Sequence, residues 1–200
     1  MKSIKNLLSL GVAAALGIAT FASTASAEAP SDVKEIKAIQ DRGVLRVGVK
    51  NDVVGFSVKD PLSGEYTGFE DTLATLIAKE IGEDVEVEFT AVTAATRSEL
   101  IDSGDLDCVL ATFTITPERK KNWDFSTPYY QDAVSVLVEN KSEIHHLKDL
   151  LGKTVGVSSG STSAKALVQA MIDNKILDGK NFNADKFDPA TWTEGVKFHQ

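Results

Sequence analysis

Two hydrophobic periods alternate along this chain from Val33 onward. Val33, Ile36 and Ile39 recur at helical spacing until Gly43, and Val44, Leu45, Val47 and Val49 then follow as a dense apolar run of strand length. The stretch from Gly55 to Gly68, with Pro61, Ser63 and Gly64, is turn-rich. Leu73, Leu76, Ile77 and Ile81 predict an amphipathic helix closed by Gly82, and Val85, Val87 and Phe89 alternate with Glu86 and Glu88 as a strand with one polar face. Thr96 and Glu99 stand at capping-box spacing, which predicts a short helix from Arg97 to near Gly104. A third strand is expected over Asp107 to Phe113.

Strand, helix, strand, helix, strand in this order predicts a mostly parallel sheet with helices on its faces. Sheets of that kind bind ligands beyond the carboxyl ends of their strands. That rule points to Lys50, directly after the first strand, and to the segment from Thr112 to Arg119, after the third.

Beyond Tyr130 a second set of elements begins. Ala133 to Glu139 is an apolar, β-branched run expected as a strand, Leu147 to Leu151 as a short helix and Thr154 to Val157 as another strand. Ser158 to Ser163 leads into a helix with Ala164, Leu167, Val168, Met171 and Ile172 on one face, and Val196 to Gln200 reads as one more strand. This second α/β lobe is expected to start near Leu137 and to be incomplete at Gln200. The segment between Ile176 and Val196, with Pro189 and Trp192, fits no pattern.

The first residues change the picture of where the protein works. Lys2 and Lys5 precede a charge-free apolar stretch from Leu7 to about Ala22, which ends in Ala25, Ser26 and Ala27. These are the parts of a cleavable secretory signal, with cleavage expected after Ala27; a membrane-spanning helix needs roughly 20 predominantly apolar residues and different flanks. The net charge of −8 becomes −10 once the two signal lysines are removed, which excludes nucleic acid as a natural partner. Cys108 is the only cysteine, so no intramolecular disulfide forms; in the run Cys108 to Ala111 it reads as a buried, inert thiol.

Candidate chemistry gathers after the third strand. Thr116 and Pro117 make a good helix start, which puts Arg119 in a first turn where unpaired N–H groups and the helix dipole favour an anion. Thr112 and Thr114, two apart, are expected to point to one side, and with the guanidinium they suit a carboxylate. An ordinary capped helix with a surface arginine reads equally well from these residues alone. Ser161, Thr162 and Ser163 after Gly160 offer a second hydroxyl-lined helix start, which alone is a plain cap.

The stretch from Ala111 through Thr116, Pro117, Glu118 and Arg119, followed by Phe125-Ser126-Thr127-Pro128-Tyr129-Tyr130, resembles the signature of the polar amino-acid-binding proteins of ATP-binding-cassette importers. So do Gly48-Val49-Lys50, Gly68-Phe69-Glu70, and Gly156-Val157 leading to Gly160-Ser161-Thr162, all in the same order from about Val33 to about Ile172. The resemblance implies an α/β fold of the periplasmic-binding-protein type II: two lobes joined by a hinge. Together with the residue pattern above, this gives an expected signal peptide over residues 1–27, a first lobe over 28–136 and an unfinished second lobe over 137–200. Arg119 would hold the ligand α-carboxylate, Thr112 and Thr114 would orient it, and Thr162 would reach it from the second lobe. Lys50 and Arg97 match positions that are cationic in aspartate- and glutamate-binding members. Two extra cations beside Arg119 repel one another unless a second negative charge arrives, so an acidic amino acid is expected. The ammonium-binding residue is expected beyond Gln200.

The expected protein is therefore a periplasmic, monomeric, non-enzymatic carrier that needs no cofactor or metal and delivers its amino acid to a membrane permease. The alternatives are an enzyme on the same fold, like the periplasmic cyclohexadienyl dehydratases, and the sensor domain of a receptor. No histidine among His145, His146 and His199 lies beside the expected site to serve as a general acid.

Overall fold

The computed structural model describes residues 33–200, so the expected signal peptide and its cleavage site lie outside the described residues. Helix α1 (Lys34–Arg42) ends at Gly43, whose left-handed φ of 71° turns the chain directly into strand β1 (Val44–Val49). Short strands β2 (Asp52–Val53), β3 (Ser57–Lys59) and β4 (Tyr66–Thr67) form an antiparallel ribbon within the turn-rich stretch. Strands of two or three residues carry no period, which is why the sequence pattern does not disclose them. Helix α2 (Phe69–Ile81), strand β5 (Glu86–Ala91), helix α3 (Arg97–Asp102) and strand β6 (Cys108–Leu110) complete this region.

The first sheet is parallel throughout, in the order β5-β1-β6. Val44 stands opposite Glu86, and Val47 opposite both Phe89 and Cys108. Ile39, Leu45, Val47, Val49, Ala74, Ala78, Ile81 and Leu110 form a single buried cluster; of the apolar face expected on α2, Ile81 is buried, Leu73 and Ile77 are half-buried at its margin and Leu76 is exposed, so the helix is turned to put Ala74 and Ala78 against the sheet. Burial of that apolar surface at about 25 cal/mol per Å² is what holds the helix to the sheet. At the opposite end of the strands from Lys50, Asp107 fastens β6 to β1. Its carboxylate accepts the Arg46 N–H and Nη2 at 2.8 Å and also pairs with Arg42, while its own N–H donates to the Arg46 carbonyl at 2.9 Å. Burial alone would raise Asp107, but these donors and cations hold it below the ordinary carboxylate range. Beside it the Cys108 thiol is pushed up to about 12, by burial and then by the Asp107 charge.

Two local expectations shift. Thr96 and Glu99 form no capping box; instead the Thr93 hydroxyl accepts the Thr96 N–H at 3.1 Å while the Thr96 hydroxyl accepts the Thr93 N–H at 3.0 Å. The reciprocal arrangement exists, moved three residues toward the N-terminus. Strand β6 stops at Leu110 rather than Phe113, because Thr112 takes a left-handed φ of 48° that ends any ladder.

The C-terminal region is built on strand β7 (Thr154–Gly156) paired in parallel with β8 (Lys197–His199), and on helix α4 (Ser163–Asp173). A 3-10 turn at Leu147–Leu150 precedes them, held by Asp149, which accepts the N–H groups of His145 and His146. Leu150, Leu167, Val168, Met171 and Val196 form the buried cluster. The unreadable stretch from Ile176 onward supplies its other wall: the rings of Phe182, Phe187, Trp192 and Phe198 meet at centroid distances of 5.5 to 6.2 Å. Ala133–Glu139 forms no strand. Every residue from 131 to 140 is exposed, and without a partner ladder among the described residues an apolar, β-branched run stays merely extended.

Candidate functional site

The candidate residues gather past the carboxyl ends of β1 and β6, the place to which the sheet rule directs attention. The centre of the cluster is one peptide group. The Thr112 N–H donates to Glu70 Oε1 at 2.7 Å, and the Ala111 carbonyl of the same peptide accepts Arg97 Nη1 at 2.7 Å. A trans peptide presents its N–H and C=O on opposite sides. The buried carboxylate of Glu70 and the buried guanidinium of Arg97 thus grip the Ala111–Thr112 peptide from its two ends, each with the sign that its dipole prefers. Arg97 Nη1 also reaches the Thr112 carbonyl at 3.3 Å, and the Tyr129 hydroxyl adds a second donor to Glu70 Oε1 at 2.7 Å. Burial and the hydrogen bond to Glu70 raise the Tyr129 phenol, which keeps it neutral and donating.

Phe113 gathers the two arginines. The guanidinium carbon of Arg97 lies 4.0 Å from the ring centroid and that of Arg119 lies 4.4 Å from it, within reach of the ring's negative face. Burial, and then the neighbouring Arg119, lower Arg97 to about 10, which leaves it charged at neutral pH. Arg119 is lowered by burial as well.

Arg119 also ties the two regions together. Its Nη1 donates to the Thr114 carbonyl at 2.7 Å and its Nη2 to the Gly160 carbonyl, across the divide, at 3.0 Å. Gly160 approaches so closely that a Cβ built there would lie 2.5 Å from the Ala94 carbonyl oxygen. Lys165 and Glu118 face each other across the same gap at 3.5 Å, an exposed pair of small energetic weight.

The structure brings Arg97, Thr112, Thr114 and Arg119 into one contiguous cluster. Thr112 and Thr114 contribute backbone groups to it, and both residues are exposed with no hydrogen bond from either hydroxyl among the described residues. Thr116 accepts the Arg119 N–H at 3.2 Å, as a helix cap does, yet only a single 3-10 turn follows, at Arg119–Lys121. Thr162 is the residue before α4 and lies two positions beyond Gly160, on the other side of the gap. Lys50 lies immediately beyond β1, and its carbonyl accepts the Ser57 hydroxyl at 2.5 Å. The same hydroxyl is 2.7 Å from Asp71 Oδ1 on the first turn of α2, adjacent in sequence to Glu70.

Glu70, Phe113 and Tyr129 join this cluster although the sequence, which holds them inside the motifs, gives them no role in it. A glutamate two positions into a helix reads as a favourable charge on the dipole. Its complete burial, at 0% exposure, is the signal, and it becomes visible only in three dimensions.

Two α/β regions that meet over a cluster of cations at strand ends define a two-lobed solute-binding protein of the type II periplasmic-binding-protein fold. The chain belongs to the bacterial extracellular solute-binding proteins, family 3, which it matches over residues 45–184. It is 37% identical over 159 residues to a glutamine-binding protein of Geobacillus stearothermophilus, covering 78% of this chain and 61% of that one. To the L-cystine-binding protein TcyJ of Escherichia coli K12 it is 34% identical over 167 residues, covering 82% and 62%. It therefore spans about three-fifths of the length of these relatives. Among solved structures it is similar to the ancestral amino acid-binding protein AncCDT-1, described as a precursor of cyclohexadienyl dehydratase, with a TM-score of 0.62 and 35% identity over 82% of this chain and 64% of that one. These relatives are named for binding amino acids, not for catalysis.

Proposed function

We propose that the chain is the capture protein of an amino-acid uptake system: it binds a polar amino acid outside the cytoplasmic membrane and hands it to an ATP-binding-cassette permease. The observation that carries this reading is the Arg119 guanidinium, shared between the loop after β6 and Gly160 of the facing region. A ligand α-carboxylate arriving there finds an arginine with three further N–H donors, exposed hydroxyls of Thr112 and Thr114, and the helix start at Thr162 across the gap. Ligand and arginine together close the two lobes about their hinge. A periplasmic location follows from the expected signal over residues 1–27.

For the side chain, Lys50 and Arg97 support an acidic ligand, aspartate or glutamate, since each adds positive charge beside Arg119. A neutral amide is the second reading, and a specific observation favours it: the buried Glu70 already opposes the charge of Arg97. The name of the glutamine-binding relative points the same way.

Calorimetric titration of the mature full-length protein with aspartate, glutamate, asparagine and glutamine tests the assignment. Binding of at least one of the four is expected, lost on Arg119→Ala while circular dichroism stays unchanged. Removing one partner of a desolvated charge pair costs about 2 to 5 kcal/mol. Undiminished affinity in that variant would remove the proposed carboxylate site.

A further inference from the structure

Glu70 and Arg97 form an unusual couple. Both are buried, at 0% and 3% exposure, yet no direct ion pair joins them. They meet through the Ala111–Thr112 peptide, and each keeps one polar atom, Glu70 Oε2 and Arg97 Nε, without a hydrogen-bond partner among the described residues. Both donors at Glu70, the Thr112 N–H and the Tyr129 hydroxyl, spend their hydrogens on Oε1. Oε1 of this side chain is therefore an acceptor twice over. The Phe113 ring brings the Arg119 guanidinium to the same spot, and Arg119 is the cation assigned to the ligand α-carboxylate.

Arg119 is matched by the α-carboxylate of any amino acid. Arg97 is matched by Glu70. Of the three cations, only Lys50 is left for a ligand side chain. We infer that Glu70 is a specificity-determining residue, whose buried carboxylate offsets Arg97 through the Ala111–Thr112 peptide and so sets how strongly the pocket prefers an acidic side chain over its neutral amide. This rests on the reading of the site as an amino-acid pocket, and it adds a residue that touches no ligand and acts through Arg97. Its effect is electrostatic and operates in a region of low dielectric, where an unmatched charge is felt at range. An excess cation discriminates against neutral ligands because it is left uncompensated when they bind.

The test is the ratio of glutamate to glutamine affinity in the mature full-length protein, measured by calorimetry. Glu70→Gln keeps the Oε1 acceptor for both donors and removes the charge, with an amide NH2 in place of Oε2. It is expected to raise the ratio by about tenfold or more, and the double variant Glu70→Gln with Arg97→Gln is expected to bring it back toward the wild-type value. Tyr129→Phe removes one hydrogen bond and keeps the charge, and should leave the ratio where it was. A purely structural glutamate would weaken both ligands alike, so an unchanged ratio in a folded, binding Glu70→Gln protein overturns the inference while the amino-acid assignment stands. If Glu70→Gln does not fold, as judged by circular dichroism, Arg97→Gln alone decides: the ratio must fall, and a ratio that holds or rises overturns the inference. A wild-type protein that binds no amino acid overturns the assignment and this inference together.

Discussion

The two regions of this protein solve the same packing problem with different materials. In the N-terminal region, β1 has a strand on each side, and the interior is aliphatic: Leu45, Val47, Val49 and their partners on α1 and α2. In the C-terminal region β7 has one neighbour, five buried residues make the centre, and a loop of half-buried aromatic rings supplies the wall. Aliphatic residues at strand and helix spacing fill a regular interior, with each element fixing the next. Large rings cover more surface each, so a segment without regular structure can still seal a small interior. The contrast shows that periodicity is needed to build a sheet-and-helix layer but not to close one.

Each region carries one tryptophan, which lets the comparison be tested. Trp123 lies against Phe113 and donates to Asp102 at 2.6 Å, while Trp192 lies in the aromatic wall. Leu45→Ala, at a position 2% exposed, should cost about 3 kcal/mol, the usual loss for a buried leucine. In a Trp192→Phe background urea unfolding followed on Trp123 should show that loss. In a Trp123→Phe background the Trp192 transition should barely move, because the two buried clusters are separate. A shared shift would mean that the regions unfold as one.

Gly160→Ala attacks the junction. With φ at 73° and the Ala94 carbonyl in the way, a methyl group must push the regions apart. Strain of about 1 to 3 kcal/mol is expected; the clash should appear as weaker amino-acid binding by calorimetry, and the left-handed φ, which strains an alanine in either arrangement, as a lower melting temperature of the free protein.

Asp107→Asn should destabilise the N-terminal region by about 1 to 2 kcal/mol at pH 7. The sign with pH is set by the lowered carboxyl. Its contribution is complete above the ordinary carboxylate value near pH 4 and is lost as the pH falls through the lower folded value. The gap between wild type and variant in thermal melts should therefore close in strong acid.

Asp71→Asn is the smallest effect and has the opposite sign. Ser57 has one hydroxyl hydrogen for two acceptors, the Lys50 carbonyl and Asp71, and burial raises the Asp71 carboxyl. A raised acid stabilises the fold below its unfolded value and forfeits that stability as the pH rises through the folded one. An asparagine can donate to Ser57 instead, so the variant should melt at an equal or slightly higher temperature at pH 7, with the difference gone near pH 4.

Much of the N-terminal region was legible because β1, α2 and β5 carry unbroken periods, and because a parallel sheet announces where its ligands bind. Arg97, Thr112, Thr114 and Arg119 come together where that rule points. The manner of their meeting was not legible. Thr112 and Thr114 join the cluster by backbone groups, with their hydroxyls left exposed, and Thr112 adopts a conformation that no threonine advertises. Glu70 reaches across 42 positions to bond Thr112, a separation that no local pattern spans. In the C-terminal region the rings of Phe182, Phe187 and Trp192 sit at irregular intervals, so their convergence is a property of the loop's path and not of any repeat.

Cys108 gives the molecule a built-in clock. Its thiol lies in β6 opposite Val47, and at about 12 it is almost wholly unreactive while the strand stays in place. Alkylation by an external reagent is therefore slow while β6 is in place and speeds when the strand detaches, so the labelling rate relative to that of a free thiol rises with the fraction of molecules in which the strand has come away. An amino acid seated as proposed, beyond the end of β6, is expected to slow this clock by holding the strand down. Occupancy of the pocket can then be timed on the unmodified chain by mass alone, with neither a dye nor an engineered label.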